Sequence, residues 1–283
     1  IGLSYSLRLL ATLNNEESML KQIVAVIAFT AFFVGPAIAQ LPDTVFLDEL
    51  TWTEVRDSIN NGTTTVIVAT AGTEQNGPHM VLGKHKFIVS YAAEQIARRL
   101  GNTLVAPVIA YVPEGTLDPP SGHMRYSGAI TLPQEHFMTL LEFTAKSLAV
   151  HGFTDIVFIG DSGGNQNGMR DVSQTLNTEW SDTPARVHFV GDYYSDNGVN
   201  DWLISQGETQ ESIGSHAGIR DTSQLMFIAP QHIRDDKRVP GGGFEGSGVS
   251  GDPSRATVEY GEKAIELKIE AALRQIKELF NAG

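Results

Sequence analysis

From Gly72 to Lys86 the chain reads Gly-Thr-Glu-Gln-Asn-Gly-Pro-His-Met-Val-Leu-Gly-Lys-His-Lys, which gathers Glu74, His79 and His85 in one short stretch. A carboxylate and two imidazoles at such spacing can bind a divalent metal or handle protons. Further on, His123 lies in a Pro- and Gly-rich segment, and Gly160-Asp-Ser-Gly-Gly164 matches the Gly-x-Ser-x-Gly pattern of a nucleophile elbow. A serine hydrolase built on Ser162 needs a later acid, Asp192 or Asp221, and a later base, His216 or His232. His188, inside an apolar run, reads as a satisfied core or surface histidine.

The elements that must position these groups follow from periodicity and punctuation. Thr64–Thr70, Leu104–Ile109, Asp155–Gly160 and Arg186–Gly191 are short apolar runs that read as strands. Between them lie helical patterns: Thr51 with Glu54 forms a capping box, Gly101 stops the helix that passes through Phe87, Ala92, Ile96 and Leu100, and Pro133 opens another. That last helix is expected to bury Phe137, Leu140, Leu141, Thr144 and Leu148. A final helix is expected from about Ser254 to Phe280. Strands alternating with helices make one α/β domain, residues 40–283, with a mostly parallel sheet flanked by helices. The loops around 72–86, 160–166 and 192–196 then leave the carboxyl ends of strands, where ligands bind in such sheets. Residues 111–131 read as a long irregular loop, and the glycine-rich stretch 240–253 as either a flexible surface loop or a lid.

Composition sets the limits. The 283 residues include 41% hydrophobic and 19% charged, enough for a substantial core. There is no cysteine, so any metal must be held by His, Asp, Glu or water. The net charge of −13 disfavours nucleic acid and anionic membranes as partners and leaves a small molecule as the expected one. Met19 to Ala39, with Lys21, an apolar stretch and Ala37-Ile-Ala39, reads as a signal peptide cleaved after Ala39, with a transmembrane anchor as the alternative. Residues 1–18 are set aside as an upstream extension, and the mature protein is expected to be exported, periplasmic or secreted.

Glu74-Gln-Asn-Gly-Pro-His79, His123-Met-Arg-Tyr-Ser-Gly-Ala-Ile-Thr-Leu132, Gly163-Gly-Asn165, His216-Ala-Gly218 with Asp221-Thr-Ser223, and Gly248-Val-Ser-Gly-Asp-Pro253 resemble, in that order, the creatininase (creatinine amidohydrolase) family. The resemblance spans roughly residues 45–280. It implies a three-layer α/β/α metallohydrolase that opens small amides or cyclic amides with a metal-activated water, often as a hexamer. Asn76 stands where the family has a ligand histidine, His85 where it has a bridging aspartate, Ser162 where it has another ligand histidine, and Ile219 where it has a glutamate.

With two-metal ligands lost and His85 and Asp161 gained, the expected site is a single ion, zinc or alternatively manganese, held by Glu74, His85 and Asp161 with water in the open position. His216 matches the family's catalytic histidine and would pass a proton to the leaving group. His123 would orient substrate, while Asn76, His79 and Asp221 would support the site. Ser162 is the alternative nucleophile or ligand. A third reading keeps the fold without the metal, as a non-catalytic binding or scaffold protein.

Overall fold

The computed structural model describes residues 42–241 and 243–282. The expected signal peptide and upstream extension lie outside the described residues. Among these residues no helix is long and apolar enough to cross a membrane.

Four strands form one parallel sheet in the order β2-β1-β3-β4: β1 Thr65–Thr70, β2 Thr103–Val105, β3 Asp155–Gly160 and β4 Arg186–Phe189. Thr65 pairs with both Thr103 and Asp155, and Asp155 with Arg186, so the four strands start level. Val66, Ile67, Val68 and Ala69 are fully buried, as a strand covered on both faces requires.

Between the strands run α1 (Trp52–Asn60), α2 (Lys84–Leu100), α3 (Gln134–Val150) and α4 (Gln166–Glu179). After β4 come α5 (Val199–Ser205), α6 (Gln210–Ile213), α7 (Ile219–Ile228) and α8 (Val258–Ala282). Thr51 caps α1 through the expected capping box with Glu54, and Gly101 ends α2 in the left-handed conformation at φ 84°.

Alternation along each strand feeds two cores. Ile67, Ala69, Val157 and Ile159 pack with Ile88, Ala92 and Ile96 of α2 and with Ile265, Ile269, Ala272 and Ile276 of α8. Val66, Val68, Ile156 and Phe158 pack on the other face with Phe137 and Leu141 of α3 and Met169 and Leu176 of α4. Each such side chain contributes about 1.5–3 kcal/mol by leaving water, so truncating Ile67 to Ala should cost about 2–5 kcal/mol. The expected three-layer α/β/α arrangement is therefore the observed one. Gly261 lets α8 lie close to α7, since a Cβ there would sit 1.9 Å from the Ser223 carbonyl oxygen.

The chain passes from β1 to β2 on one side and then returns to β3 on the other. That reversal opens a crevice at the carboxyl ends of β1 and β3.

Several details depart from expectation. Lys84 and His85 belong to the first turn of α2, not to the loop before it. β2 stops at Val105, before Pro107, which lacks a ladder donor; Ile109 still bridges to Thr70 as an isolated pair. On α3 the buried stripe is Phe137, Leu141, Ala145 and Leu148, which leaves Leu140 40% exposed. Residues 111–131 are more ordered than a loop: Val112 bridges Thr131, Ile130 bridges Thr73, and Gly122–Arg125 form a 3-10 turn.

Candidate functional site

Glu74 stands in the loop after β1, and backbone demand keeps that loop tight. Its N–H donates to Leu82 O at 3.2 Å, while the Asn76 amide donates to the carbonyls of Glu74 (3.0 Å) and Val81 (3.2 Å). Asn76 is thus a loop staple, with its nitrogen committed to the main chain. The Glu74 carboxylate is almost wholly buried and faces two different neighbourhoods.

On one side it meets a chain of ion pairs. Glu74 Oε1 lies 2.7 Å from His85 Nε2, and His85 Nδ1 lies 2.7 Å from Asp161 Oδ2. Asp161 Oδ1 accepts from Lys268 Nζ of α8 and from the Tyr193 hydroxyl at 3.2 Å. Lys268 also reaches Gln224 Oε1 at 3.2 Å and sits 4.3 Å above the Tyr193 ring. Lys84 Nζ is 3.2 Å from Asp221 Oδ2 and 3.9 Å from Glu74 Oε1.

Burial disfavours charge on each of these groups; the partners prevail at Asp161, Glu74, His85 and Lys84, whereas burial lowers Lys268 in spite of Asp161. Lys268 and His85 hold Asp161 down at about 2, and His85, Lys84 and His123 hold Glu74 below the usual carboxylate range. His85 is raised by Glu74 and Asp161 despite burial and Lys84, which favours an imidazolium donating from both nitrogens. The structure therefore brings Glu74, His85 and Asp161 together but does not point them at one centre. The two carboxylates occupy opposite nitrogens of one ring.

On its other side Glu74 meets two histidines. His123 Nε2 is 3.3 Å from Oε2, His216 Nδ1 is 3.8 Å from Oε1, and the two rings are 4.9 Å apart. Among the described residues, Glu74, His123 and His216 form a group whose ligand atoms all lie within 4.8 Å of one another. His216 Nε2 lies 2.9 Å from the Gln75 carbonyl, which can only accept. That assigns the proton to Nε2 and leaves the Nδ1 lone pair facing Glu74, the outer-shell arrangement of metal-bound histidines. Burial, with Lys84, pushes His216 down to about 4, and burial also lowers His123, so both rings are neutral near pH 7. Ala217, with φ 53°, turns the chain just after His216; its N–H donates to Asp221 Oδ2 at 2.8 Å, which holds that turn. Phe244, from the glycine-rich stretch, meets His123 and His216 edge-on with ring centroids 5.1 and 5.6 Å away, so this segment lies over the pair.

These groups line a cavity of about 420 Å³ together with Glu114, Ser162, Tyr194 and Arg220. Glu114 has no motif around it, yet it is buried with Oε1 unpartnered, and Gly72 makes its room, since a Cβ there would lie 2.3 Å from that oxygen. Burial and then Glu74 push the Glu114 carboxyl up to about 10, so it holds its proton at neutral pH. A larger cavity of about 560 Å³ beside α1 and α3 is lined by residues such as Leu47, Trp52 and Phe153 and holds no carboxylate, so the chemistry belongs to the smaller one.

One divalent ion fits the donor set of a carboxylate and two neutral imidazoles. Beside this set, the Asn76 nitrogen is bonded to the main chain, and the ammonium of Lys84 and the ring of His85 lie against the carboxylates of Glu74, Asp161 and Asp221.

The remaining sequence candidates have other occupations. His79 Nε2 is 2.9 Å from Thr222 Oγ1 and ties the loop to α7. Ser162 has an ordinary extended backbone, φ −111° and ψ 147°, and no imidazole among the described residues is hydrogen-bonded to its hydroxyl. His232 stacks on Phe87 at 4.2 Å, and Asp192 faces Arg274 at 3.9 Å, so neither joins the cavity. From the segment after β4, Tyr193 and Tyr194 reach the site instead of Asp192. His188 bonds Asp155 Oδ1 at 2.9 Å, as a satisfied histidine should.

Lys84, Glu114, Lys268 and Arg220 are not signalled by any motif. Lys268 carried a readable sign, because it interrupts the apolar stripe Ile265, Ile269, Ala272, Ile276 where a charged residue has no place without a buried partner.

Comparison with known proteins shows the family and the fold. The family model for creatininase, creatinine amidohydrolase, matches residues 48–276, which include every residue of the cavity. The mycofactocin precursor peptide peptidase of Mycobacterium tuberculosis (strain CDC 1551 / Oshkosh) is 24% identical over 237 residues, covering 75% of this chain and 84% of its own length. The creatinine amidohydrolase of Pseudomonas putida is 24% identical over 258 residues, covering 83% of this chain and 97% of its own. The solved structure "Creatininase Mn" superposes with a TM-score of 0.69 at 22% identity, covering 84% of this chain and 99% of that one, and shares its fold. A family model matched across nearly the whole described chain, on a fold that places Glu74, His123 and His216 in one crevice, is decisive: the chain belongs to the creatininase family.

Proposed function

We propose that this protein hydrolyses a C–N bond of a small amide or cyclic amide with the help of one divalent ion, zinc or manganese, held by Glu74, His123 and His216. The observation that carries the reading is the convergence of one carboxylate and two neutral imidazoles on a cavity of about 420 Å³. Family membership supports it, since the curated relatives are an amidohydrolase and a peptidase, both of which break C–N bonds. Bound there, an ion supplies Lewis acidity to an amide carbonyl and acidifies a water molecule.

The chain's own groups supply the rest. Gln75 O holds the His216 tautomer, and His85, clamped by Asp161 and Lys268, holds Glu74 ionised and aimed. Phe244 keeps bulk water from the histidine pair. In this reading His123 and His216 are ligands, whereas the sequence suggests substrate orientation for His123 and proton transfer for His216.

Metal analysis of the purified protein, with hydrolysis of a panel of amides and lactams before and after chelation, tests the reading. About one zinc or manganese per chain is expected, with activity lost on chelation and restored by the ion. Absence of bound metal together with chelator-insensitive hydrolysis would overturn it.

A further inference from the structure

The cavity has a second wall that metal binding does not use. Arg220 is the second residue of α7 and lines the cavity, with about a quarter of its side chain exposed. Its one ion pair to a described residue is loose, 3.7 Å from Nε to Asp221 Oδ1. The other oxygen of that carboxylate, Oδ2, is held at 3.2 Å from Lys84 Nζ and accepts from Ala217 N–H at 2.8 Å. The guanidinium donates no hydrogen bond to any described side chain or carbonyl.

Nor does local structure call for a cation there. The first turn of a helix carries partial positive charge from its free N–H groups, so an arginine in it works against the macrodipole, whereas a bound anion would gain from both. Two further donors line the same cavity. The Tyr194 hydroxyl lies against the strand β3 loop, 2.9 Å from where a Gly163 Cβ would be, and Ser162 adjoins it. Neither side-chain hydroxyl is hydrogen-bonded to a described residue.

We propose that Arg220, with the hydroxyls of Tyr194 and Ser162, binds a carboxylate of the substrate, so that the substrates are small amides or lactams carrying a free carboxylate. The inference deepens the hydrolase reading and rests on it for the amide. The planar fork of a guanidinium matches a carboxylate in two parallel hydrogen bonds, which fixes orientation as well as affinity. Held at that wall, the anion leaves the rest of a small substrate to reach Glu74, His123 and His216 across the same cavity. Arg220 is thus a specificity-determining residue and takes no part in bond breaking.

The test uses the full metal-loaded chain and its Arg220→Gln and Tyr194→Phe variants, with matched N-acyl amino acids and the corresponding neutral primary amides as substrates. Wild type should prefer the carboxylate member by about 100-fold in kcat/KM, mainly through KM. Arg220→Gln should bring that ratio close to one, and Tyr194→Phe should lower it several-fold. Equal rates on both members, or a ratio unchanged in Arg220→Gln, would overturn the proposal.

A binding arm separates this from failure of the hydrolase reading. Thermal protection by acetate and by inorganic phosphate is measured on wild type and Arg220→Gln. Acetate protection that disappears in Arg220→Gln supports the carboxylate wall even if no amide is hydrolysed. Equal protection in both proteins, or protection by phosphate and not by acetate, overturns it.

Discussion

The two sides of Glu74 differ in one respect that separates structure from chemistry. On the His85 side every strong group is spent: His85 uses both nitrogens, and Asp161 takes Lys268, Tyr193 and His85 at once. On the other side the hold is looser: His123 Nε2 is 3.3 Å and His216 Nδ1 3.8 Å from Glu74, His123 Nδ1 is buried without a partner, and both rings line the cavity. A saturated buried network can hold a shape but has nothing left for a ligand, whereas unpaired acceptors in a crevice are costly unless something binds them. Both sides carry histidine and carboxylate, so residue type alone does not distinguish them.

The largest effects should come from substitutions that break one side and spare the other. Glu74→Gln touches both and should abolish metal binding and lower kcat/KM by about 1000-fold or more, read by metal analysis and hydrolysis. Asp161→Ala should cost about 3–5 kcal/mol in urea denaturation, because Lys268 and His85 are left buried without their carboxylate. With metal removed from both proteins, His123→Ala should shift the same curve by less than about 1 kcal/mol, and metal analysis should find that the variant no longer takes up the ion. If the two variants exchanged these outcomes, the division between a structural and a chemical side would be wrong.

A smaller effect concerns Glu114, whose folded pKa, pushed up to about 10, lies far above its unfolded value. The folded protein then holds a proton that the unfolded chain releases, so this residue's contribution is complete below the unfolded pKa and is lost progressively as pH rises towards about 10. Glu114→Gln removes that dependence. Denaturation midpoints at pH 6 and pH 9 should therefore differ less in the variant than in wild type, with stability at pH 9 raised by about 1 kcal/mol or more. Smallest of all, Phe244→Ala should lower kcat/KM only a few-fold, by letting water reach the histidine pair without changing either ligand side chain.

Much of the scaffold was legible because its causes are local. The capping box at Thr51, the left-handed stop at Gly101 and the continuous apolar run of β1 need only neighbouring residues, and each is found where expected. Boundaries failed where two local rules competed. The sequence reads 72–86 as a loop, yet Gly83 is the residue from which α2 starts, so Lys84 and His85 ride on the helix. Leu140 was placed in the core by periodicity, but the buried stripe runs one position aside, through Phe137, Leu141 and Ala145.

The site divided differently. Spacing singles out Glu74, His85 and Asp161 near the ends of strands and His123 in the long loop, and the order of the motifs suggests the family and, with it, His216. What remained open was partnership. Whether His85 points a nitrogen at a metal or at Asp161 depends on Lys268, more than a hundred residues away in sequence and brought to Asp161 by the packing of α8 on the sheet. Glu114 and Arg220 gain their character the same way, one by burial against Glu74 and the other by the prior engagement of Asp221 with Lys84. Sequence by itself determined which groups are present and on which elements they ride, because those follow from short-range pattern. Only the tertiary structure decided which of them are satisfied and which are left open, because burial and pairing arise when distant segments meet.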